Sequence, residues 1–202
     1  DDTFVVSGTL GSSDKFLGGA GTDTLLLTGS VTASGFNAAT SSIEAMQGGG
    51  FGISGTTAAN TFDFSGVSAA SGLAFIDGGS GNDKITGTGV ADNLRGGSGN
   101  DLLVGGAGDD TLAGGANVDT LTGGADADHF VYTATSESGT SSTTRDRITD
   151  FQHGVDVIDL SAIDANTLLG GDDPFLAVVN SSTAVANSIA WYERDRKSTR
   201  LN

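Results

Sequence analysis

The chain has 202 residues, of which 33 are glycine and one is proline, with no cysteine and a formal charge of −16. Glycine without a three-residue period excludes collagen, and the lack of an 18-residue apolar run excludes a membrane-spanning helix. The balance of 25 acidic against 9 basic residues excludes a nucleic-acid surface. Of the 25 acidic residues, 22 are aspartate, which favours turns and hard-cation sites over helices.

The first 77 residues contain faint copies of a glycine-rich nonapeptide. The clearest is GGAGTDTLL at 18–26, with Asp23 and Leu25, and the segment before it carries Asp14 and Phe16 in the same phase. A weaker copy, GTTAANTFD at 55–63, has asparagine in place of the aspartate. Because the phase breaks between 25 and 53 and between 62 and 76, we predict an irregular β-solenoid over 1–77. An unrelated small β-domain is the alternative, and metal binding in this part is left open.

Six consecutive nonapeptides form the middle of the chain, over residues 78–131. They read GGSGNDKIT, GTGVADNLR, GGSGNDLLV, GGAGDDTLA, GGANVDTLT and GGADADHFV. Glycine stands at position one and aspartate at position six in all six copies, and position eight is always large and apolar. The aspartates are Asp83, Asp92, Asp101, Asp110, Asp119 and Asp128, and the apolar residues are Ile85, Leu94, Leu103, Leu112, Leu121 and Phe130.

Each nonapeptide predicts a turn followed by a short strand. The six residues of GGxGxD suit a turn, and the next three suit a strand whose middle residue points inward. One repeat cannot bury that side chain alone, so the repeats must stack into a parallel β-solenoid with two repeats per coil. Residues 18 apart then lie side by side. This places Asp83 beside the turn at 96–101 and Asp92 beside the turn at 105–110.

The stacked turns predict cation sites on both edges of the solenoid. Carboxylates and free turn carbonyls are oxygen ligands, and the chain has no cysteine and only two histidines. This ligand set favours Ca²⁺ over zinc or copper. The alternative, that glycine and aspartate serve only as good turn formers, does not explain why aspartate keeps one phase throughout.

The nonapeptides resemble the GGxGxDxUx repeat of RTX proteins, which form calcium-loaded parallel β-rolls. The resemblance implies about four Ca²⁺ ions over 78–132, held by the position-six aspartates and by carbonyls of positions one to four. Thr88 and Val90 depart from the pattern, and Asn117 and Asp126 replace the fourth glycine of the last two repeats. The implied ligands are Gly79, Gly81, Asp83, Asp92, Gly96, Gly97, Ser98, Gly99, Asp101, Gly105, Gly106, Ala107, Gly108, Asp110, Gly114, Gly115, Ala116, Asp119, Gly123 and Asp128.

The composition changes after the last repeat. Residues 133–145 predict a Ser/Thr-rich loop, and alternating apolar residues over 146–161 predict a β-hairpin that turns at His153 and Gly154. This block resembles the cap after the β-roll of serralysin-type proteases and alginate-epimerase R-modules. We expect a β cap over 133–193, with further strands at 176–179 and 189–192. Asp150 is expected to be solvated, and a contribution to a cation site at the junction is the alternative. The basic segment 194–202 predicts a disordered or non-native tail.

The chain shows no catalytic motif. It has neither HExxH nor GxSxG, so we predict a non-enzymatic module, although a parent protein could be an enzyme. The resemblance implies a secreted, extracellular module that folds on calcium and supports type I secretion of a larger protein. The alternative is a carbohydrate-binding module of the alginate type, or an adhesin segment. Binding of an acidic polysaccharide would need a basic stripe, for which Lys84, Arg95, Arg145 and Arg147 are available.

Overall fold

The computed structural model describes residues 1–11 and 16–163 and has nearly all of its regular structure in parallel strands. The strands coil into a β-solenoid, which confirms the predicted fold class. The elements are β1 (Thr3–Leu10), β2 (Thr24–Ala33), β3 (Gly35–Asn37), α1 (Ala38–Ser41), β4 (Ala45–Gln47), β5 (Ile53–Ser54), β6 (Thr61–Asp63), β7 (Ala69–Ser71), β8 (Ile76–Ser80), β9 (Lys84–Thr86), β10 (Asn93–Ser98), β11 (Leu102–Ala107), β12 (Thr111–Ala116), β13 (Thr120–Ala125), β14 (His129–Val131), β15 (Arg147–Ile148) and β16 (Val157–Asp159). No helix of the described part is long and apolar enough to cross a membrane.

Two parallel sheets face each other across the core. Sheet A has the order β16-β14-β12-β10-β8-β5-β2-β4-β7, with β1 also paired to β2, and sheet B has the order β15-β13-β11-β9-β6-β3. From β8 onward the chain alternates between the sheets, so each coil adds one strand to both. Leu94 pairs with Leu112 in sheet A and Leu103 with Leu121 in sheet B, which confirms the 18-residue stacking.

The core is a column of single large side chains between the sheets. The position-eight residues of all six nonapeptides are 0% exposed, from Ile85 to Phe130. Their neighbours along each strand point outward, as the two-residue period of a strand requires. The predicted inward direction of this column is therefore confirmed.

The division into a six-residue turn and a three-residue strand holds for the nonapeptide at 87–95 but is wrong for the other five. The full strands of the roll have six residues; β10, for example, includes Gly96, Gly97 and Ser98. Gly97 pairs in register with Gly79 on one side and Gly115 on the other, so the ladder continues through the glycines. The stacked glycines have no side chains to separate their backbones, and only about three residues remain for the turn.

The N-terminal coils are wider and less regular than those of the roll. Here β2 carries two successive ladders, one to β4 and one to β5, and its pairing with β1 contains a register shift between Val6 and Gly8. Phe36 pairs with Phe62 and Phe62 with Ile85, so sheet B continues into the roll. This confirms an irregular solenoid in place of an unrelated β-domain.

The hairpin predicted over 146–161 is wrong. β15 pairs in parallel with β13 in sheet B, whereas β16 pairs in parallel with β14 in sheet A. The two segments therefore form one more coil. Their strands pair with the preceding coil because the edges of that coil would otherwise be unpaired. No strand interrupts the loop described at 133–145. Asp14, the strands predicted at 176–179 and 189–192, and the segment 194–202 lie outside the described residues, and the domain boundaries stay predictions.

Candidate metal centre

A ladder of carboxylates follows the edge where the chain passes from sheet A to sheet B, which we call the first edge. The backbone N–H of each position-six residue donates to Oδ1 of the aspartate in the next coil. The nitrogen-to-oxygen distances are 2.6 Å from Asn60 to Asp83, 2.7 Å from Asp83 to Asp101, 2.8 Å from Asp101 to Asp119 and 2.9 Å from Asp119 to Asp146. The stacked turns therefore place one carboxylate beside the next along the whole edge.

The second edge, where the chain returns from sheet B to sheet A, carries an equivalent ladder. Asp92 N–H donates to Asp110 Oδ1 at 2.8 Å, and the same bond joins Asp110 to Asp128 and Asp128 to Asp156 at 3.1 Å each. The predicted position of Asp83 and Asp92 beside the turns of the following coil is confirmed on both edges.

Most of these carboxylates have one oxygen without a partner. While Oδ1 accepts a backbone N–H, Oδ2 is buried and makes no hydrogen bond among the described residues. This holds in the roll for Asp83, Asp101, Asp110, Asp119, Asp128 and Asp146, and outside it for Asp23. A buried anionic oxygen without a partner is costly, so each of these atoms indicates a position that a cation would fill.

Backbone carbonyls converge on the same positions, as Gly78 illustrates. A Cβ on Gly78 would lie 2.5 Å from Asp83 Oδ2 and 2.7 Å from the carbonyl oxygen of Gly96 in the next coil. The aspartate of one turn and the first carbonyl of the next coil therefore meet where a side chain would be. This explains why position one is always glycine, although the backbone of Gly78 is not left-handed.

The other cation ligands would have to come from the backbone. No three His, Cys, Asp or Glu side chains of residues 1–11 and 16–163 converge as a metal-binding group. Each site instead combines a carboxylate with carbonyls, as hard-cation sites in turns do. Most of the predicted ligand carbonyls belong to the strand ends that precede these turns. Those of Ser98 and Ala116 already accept N–H bonds from Gly81 and Gly99, at 2.8 and 3.1 Å.

The substitutions at position four of the last two repeats leave the turn conformation unchanged. Gly81 has φ of 111° and Gly99 of 133°, and Asn117 and Asp126 are also left-handed, at 89° and 78°. Asn and Asp tolerate this region because their short polar side chains bond locally. These two departures from the repeat therefore keep the backbone arrangement of the roll.

The turn at 87–92 is different, because Thr88 supplies the missing partner internally. The Thr88 N–H donates to Asp92 Oδ2 at 2.6 Å, and its hydroxyl lies 3.0 Å from the same oxygen. Neither Thr88 nor Val90 has a positive φ. Asp92 is the only position-six aspartate of the roll whose Oδ2 has hydrogen-bond partners.

A second threonine, Thr56, makes the same arrangement with Asn60 in the preceding coil. Asn60 Oδ1 accepts from the Thr56 N–H at 3.3 Å and from its hydroxyl at 3.0 Å. Threonine at position two thus accompanies a position-six oxygen that needs no cation.

Burial raises the pKa of several of the carboxyl groups on the two edges. It raises the pKa of Asp101 and of Asp146 to about 6, and that of Asp110 and of Asp119 to about 7. Neighbouring carboxylates add to the increase, and the N–H bonds from the adjoining coil oppose it. The pKa of Asp128 is raised by the same cause. Without a cation, the fold thus holds these groups where their charge is unfavourable.

Sequence reasoning missed two aspartates of the ladders, which lie after the last repeat. Asp146 ends the first-edge ladder with a free Oδ2, and Asp156 ends the second-edge ladder, with Gln152 N–H bound to its Oδ2 at 2.7 Å. The prediction of a solvated Asp150 is wrong, because its two oxygens accept the N–H groups of Gly123 and Gly124 at 3.0 and 2.9 Å. The sequence did contain a signal for Asp146, since it precedes Ile148 by the same number of residues as Asp119 precedes Leu121.

One comparison with known proteins is informative. The model of the family described as Peptidase M10 serralysin C terminal matches residues 20–201, which is most of the chain. No curated protein matches it.

Proposed function

The chain belongs to the Peptidase M10 serralysin C-terminal family, and from that premise we propose that it is a non-catalytic module that folds on binding Ca²⁺. The observation that carries the proposal is the set of six buried carboxylate oxygens in the roll that lack a partner. An RTX-type solenoid of this family fits a calcium-binding module. We propose that the chain contributes no catalytic group to a parent protein.

Calcium would be held by carboxylates of both edges. On the first edge the ligands are Asp83, Asp101, Asp119 and Asp146, and on the second they are Asp110 and Asp128 with carbonyls of the adjoining coil. Six carboxylates are thus available for the predicted number of about four ions. The bound ion supplies positive charge and oxygen coordination, while the glycine turns supply the close approach of neighbouring coils.

The apo fold is opposed by electrostatics and entropy. Neighbouring coils lie about 4.8 Å apart, and two unit charges at that distance repel by about 3.5 kcal/mol at an effective dielectric constant of about 20. Ordering a glycine-rich chain adds a large entropic cost. At tenfold the Kd, each occupied site adds about 1.4 kcal/mol of stability, so several sites together decide whether the roll folds.

The dependence of folding on bound calcium supports a role in export. Extracellular calcium modules typically have a Kd of about 10⁻⁴–10⁻³ M, well above cytosolic calcium levels. We therefore propose that the module is unfolded inside the cell, passes through a type I secretion channel, and folds outside. Its localisation would then be extracellular.

The polysaccharide-binding alternative receives no support from the arrangement of basic residues. Lys84 and Arg147 lie in sheet B, whereas Arg95 lies in sheet A, where its guanidinium is 4.9 Å from the Phe75 ring centroid. Arg145 lies in the loop before β15. The stripe that an acidic polymer would need is therefore divided between two faces.

The test compares the chain in chelator, in millimolar calcium and in millimolar magnesium. Circular dichroism and hydrodynamic radius should show an expanded chain in chelator and a compact β-rich chain in calcium. Magnesium should substitute poorly, because it requires a tight octahedron and retains its waters. A folded spectrum in chelator would contradict the switch, and equal action of magnesium would indicate charge screening instead.

A further inference from the structure

Residues 53–92, which we call the entry segment, join the wide N-terminal coils to the regular coils of the roll. The turn at the start of this segment has Asn60 where the roll has aspartate. Asn60 Nδ2 donates to Asp83 Oδ1 at 3.0 Å and to the Gly78 carbonyl oxygen at 3.1 Å, both in the next coil. A neutral amide thus lies beside the first carbonyl of the next coil, where the roll places an aspartate Oδ2.

The turn at the end of the entry segment also needs no cation to connect it to its neighbours. Its Gly89 N–H donates to the Val67 carbonyl oxygen of the preceding coil at 3.0 Å, and Asp92 Oδ2 is already bonded to Thr88.

The entry segment therefore contains fewer uncompensated charges than the roll that follows it. Within 53–92, all of which the structure describes, Asp83 alone has a buried carboxylate oxygen without a partner. The next segment, 93–128, is shorter and equally well described, and four of its aspartates have such an oxygen: Asp101, Asp110, Asp119 and Asp128. Ordering the entry segment thus requires less neutralisation of charge by bound ions.

The entry segment also buries larger apolar side chains. Its apolar residues with 0% exposure are Phe62, Phe64, Val67, Ile76 and Ile85, whereas those of 93–128 are Leu94, Leu103, Leu112 and Leu121. The rings of Phe62 and Phe64 stack, with 6.4 Å between their centroids. Because stability rises with the apolar area removed from water, burial also favours ordering of the entry segment.

We propose that calcium-driven folding of the roll starts at the entry segment and proceeds towards the C-terminal coils. In a solenoid each coil contacts only its neighbours, so folding can begin in one coil and propagate to the next. The entry segment orders first because its turns are connected by hydrogen bonds and its core is larger. It then presents paired strand edges to the coils that need more ions. The inference rests on the proposed function, since calcium completes those later coils.

The experiment follows hydrogen exchange at single backbone amides of the full chain while calcium is raised. The Lys84 N–H donates to the Asn60 carbonyl at 3.0 Å and reports on the entry segment. The Thr120 N–H donates to the Asp101 carbonyl at 2.8 Å and reports on the roll. The Lys84 amide should become protected at a lower calcium concentration than the Thr120 amide.

Asn60→Asp tests the hydrogen-bonded turn directly. It replaces the amide donor with a carboxylate beside Asp83, so the calcium midpoint for protection of Lys84 should rise at least to that of Thr120. Asn82→Asp is the matched control, because it adds the same charge at an exposed position of the next turn. The Asn82 Oδ1 only accepts the Asn100 N–H, at 2.9 Å, and a carboxylate can do the same, so the order of the two midpoints should be unchanged.

Equal midpoints for Lys84 and Thr120 in the unchanged chain, or a lower midpoint for Thr120, would overturn the inference. An unaltered order of midpoints in Asn60→Asp would also overturn it. The order in the unchanged chain decides if the variant does not fold. Calcium protection of both amides at one midpoint removes only the direction of folding, whereas no calcium effect at either amide removes the proposed function as well.

Discussion

Replacing Asp101 by Asn separates a calcium ligand from a turn former, and Asp92→Asn is its matched control. Both side chains are buried, at 3% and 8% exposure, and both occupy position six of their turn. They differ in Oδ2, which has no partner in Asp101 but accepts two bonds from Thr88 in Asp92. Asparagine preserves size and turn propensity while it removes the negative charge.

In calcium, Asp101→Asn should lower stability. A site at tenfold its Kd contributes about 1.4 kcal/mol, and losing it should lower the Tm of a domain of this size by about 3–6 °C. Asp92→Asn should have a clearly smaller effect. Asn60 already shows an asparagine at position six in this arrangement, because its Oδ1 accepts the same two bonds from Thr56.

In chelator, the effect of Asp101→Asn should reverse. Burial raises the pKa of Asp101 to about 6, so at pH 8 the folded apo chain contains a charge that its environment disfavours. The asparagine amide has no charge, and its N–H₂ can donate to a carbonyl of the next coil. Asn60 shows this bond, with 3.1 Å between Nδ2 and the Gly78 carbonyl oxygen. In chelator, the folded fraction of the variant should therefore be equal to or above that of the unchanged chain.

The assay is circular dichroism at pH 8, which measures the Tm in calcium and the folded fraction in chelator. The three proteins are compared in chelator and in about 10 mM calcium, which is tenfold above a Kd of about 1 mM. A lower Tm in calcium together with a smaller folded fraction in chelator would show that Asp101 serves only the turn. Equal shifts for the two variants in calcium would refute the distinction between the two turns.

Three further predictions concern the turns and the core. The double variant Thr88→Gly and Val90→Gly restores the repeat and removes the hydroxyl donor, so it should bind one more calcium ion in equilibrium dialysis; an unchanged number would contradict this. In chelator, stability should be greatest below about pH 4 and fall as the pH rises towards 7, because the folded-state pKa values of Asp110 and Asp119 are raised to about 7 from 3.8 and the folded chain holds protons more tightly. Circular dichroism in chelator across this range measures the folded fraction, and a larger folded fraction at pH 8 than at pH 5 would refute the trend. Leu103→Ala, at a 0% exposed position, should lower the free energy of unfolding in calcium by about 2–5 kcal/mol, and a loss below about 1 kcal/mol would contradict its place in the core.

The spacing of the repeats was sufficient to predict the solenoid and its register. A fixed nine-residue phase of glycine, aspartate and one large apolar residue allows only one stacking that buries each apolar side chain. The pairing of Leu94 with Leu112 could therefore be read from spacing alone. The two ladders of Asp83 and Asp92 followed from the same period.

The sequence did not predict which carboxylate oxygens lack a partner or which segments complete the coils, because both depend on contacts between coils. The Thr88 N–H donates to Asp92 Oδ2 because the backbone of Thr88 is not left-handed. The residue types of the repeat do not specify this backbone conformation. Asp146 joins the first-edge ladder across a 27-residue separation, because the loop at 133–145 is inserted without a change in the stacking order. In a solenoid the nearest neighbours of a residue lie one coil away, so local patterns predict the strands while contacts between coils decide what those strands pair with and what each carboxylate meets.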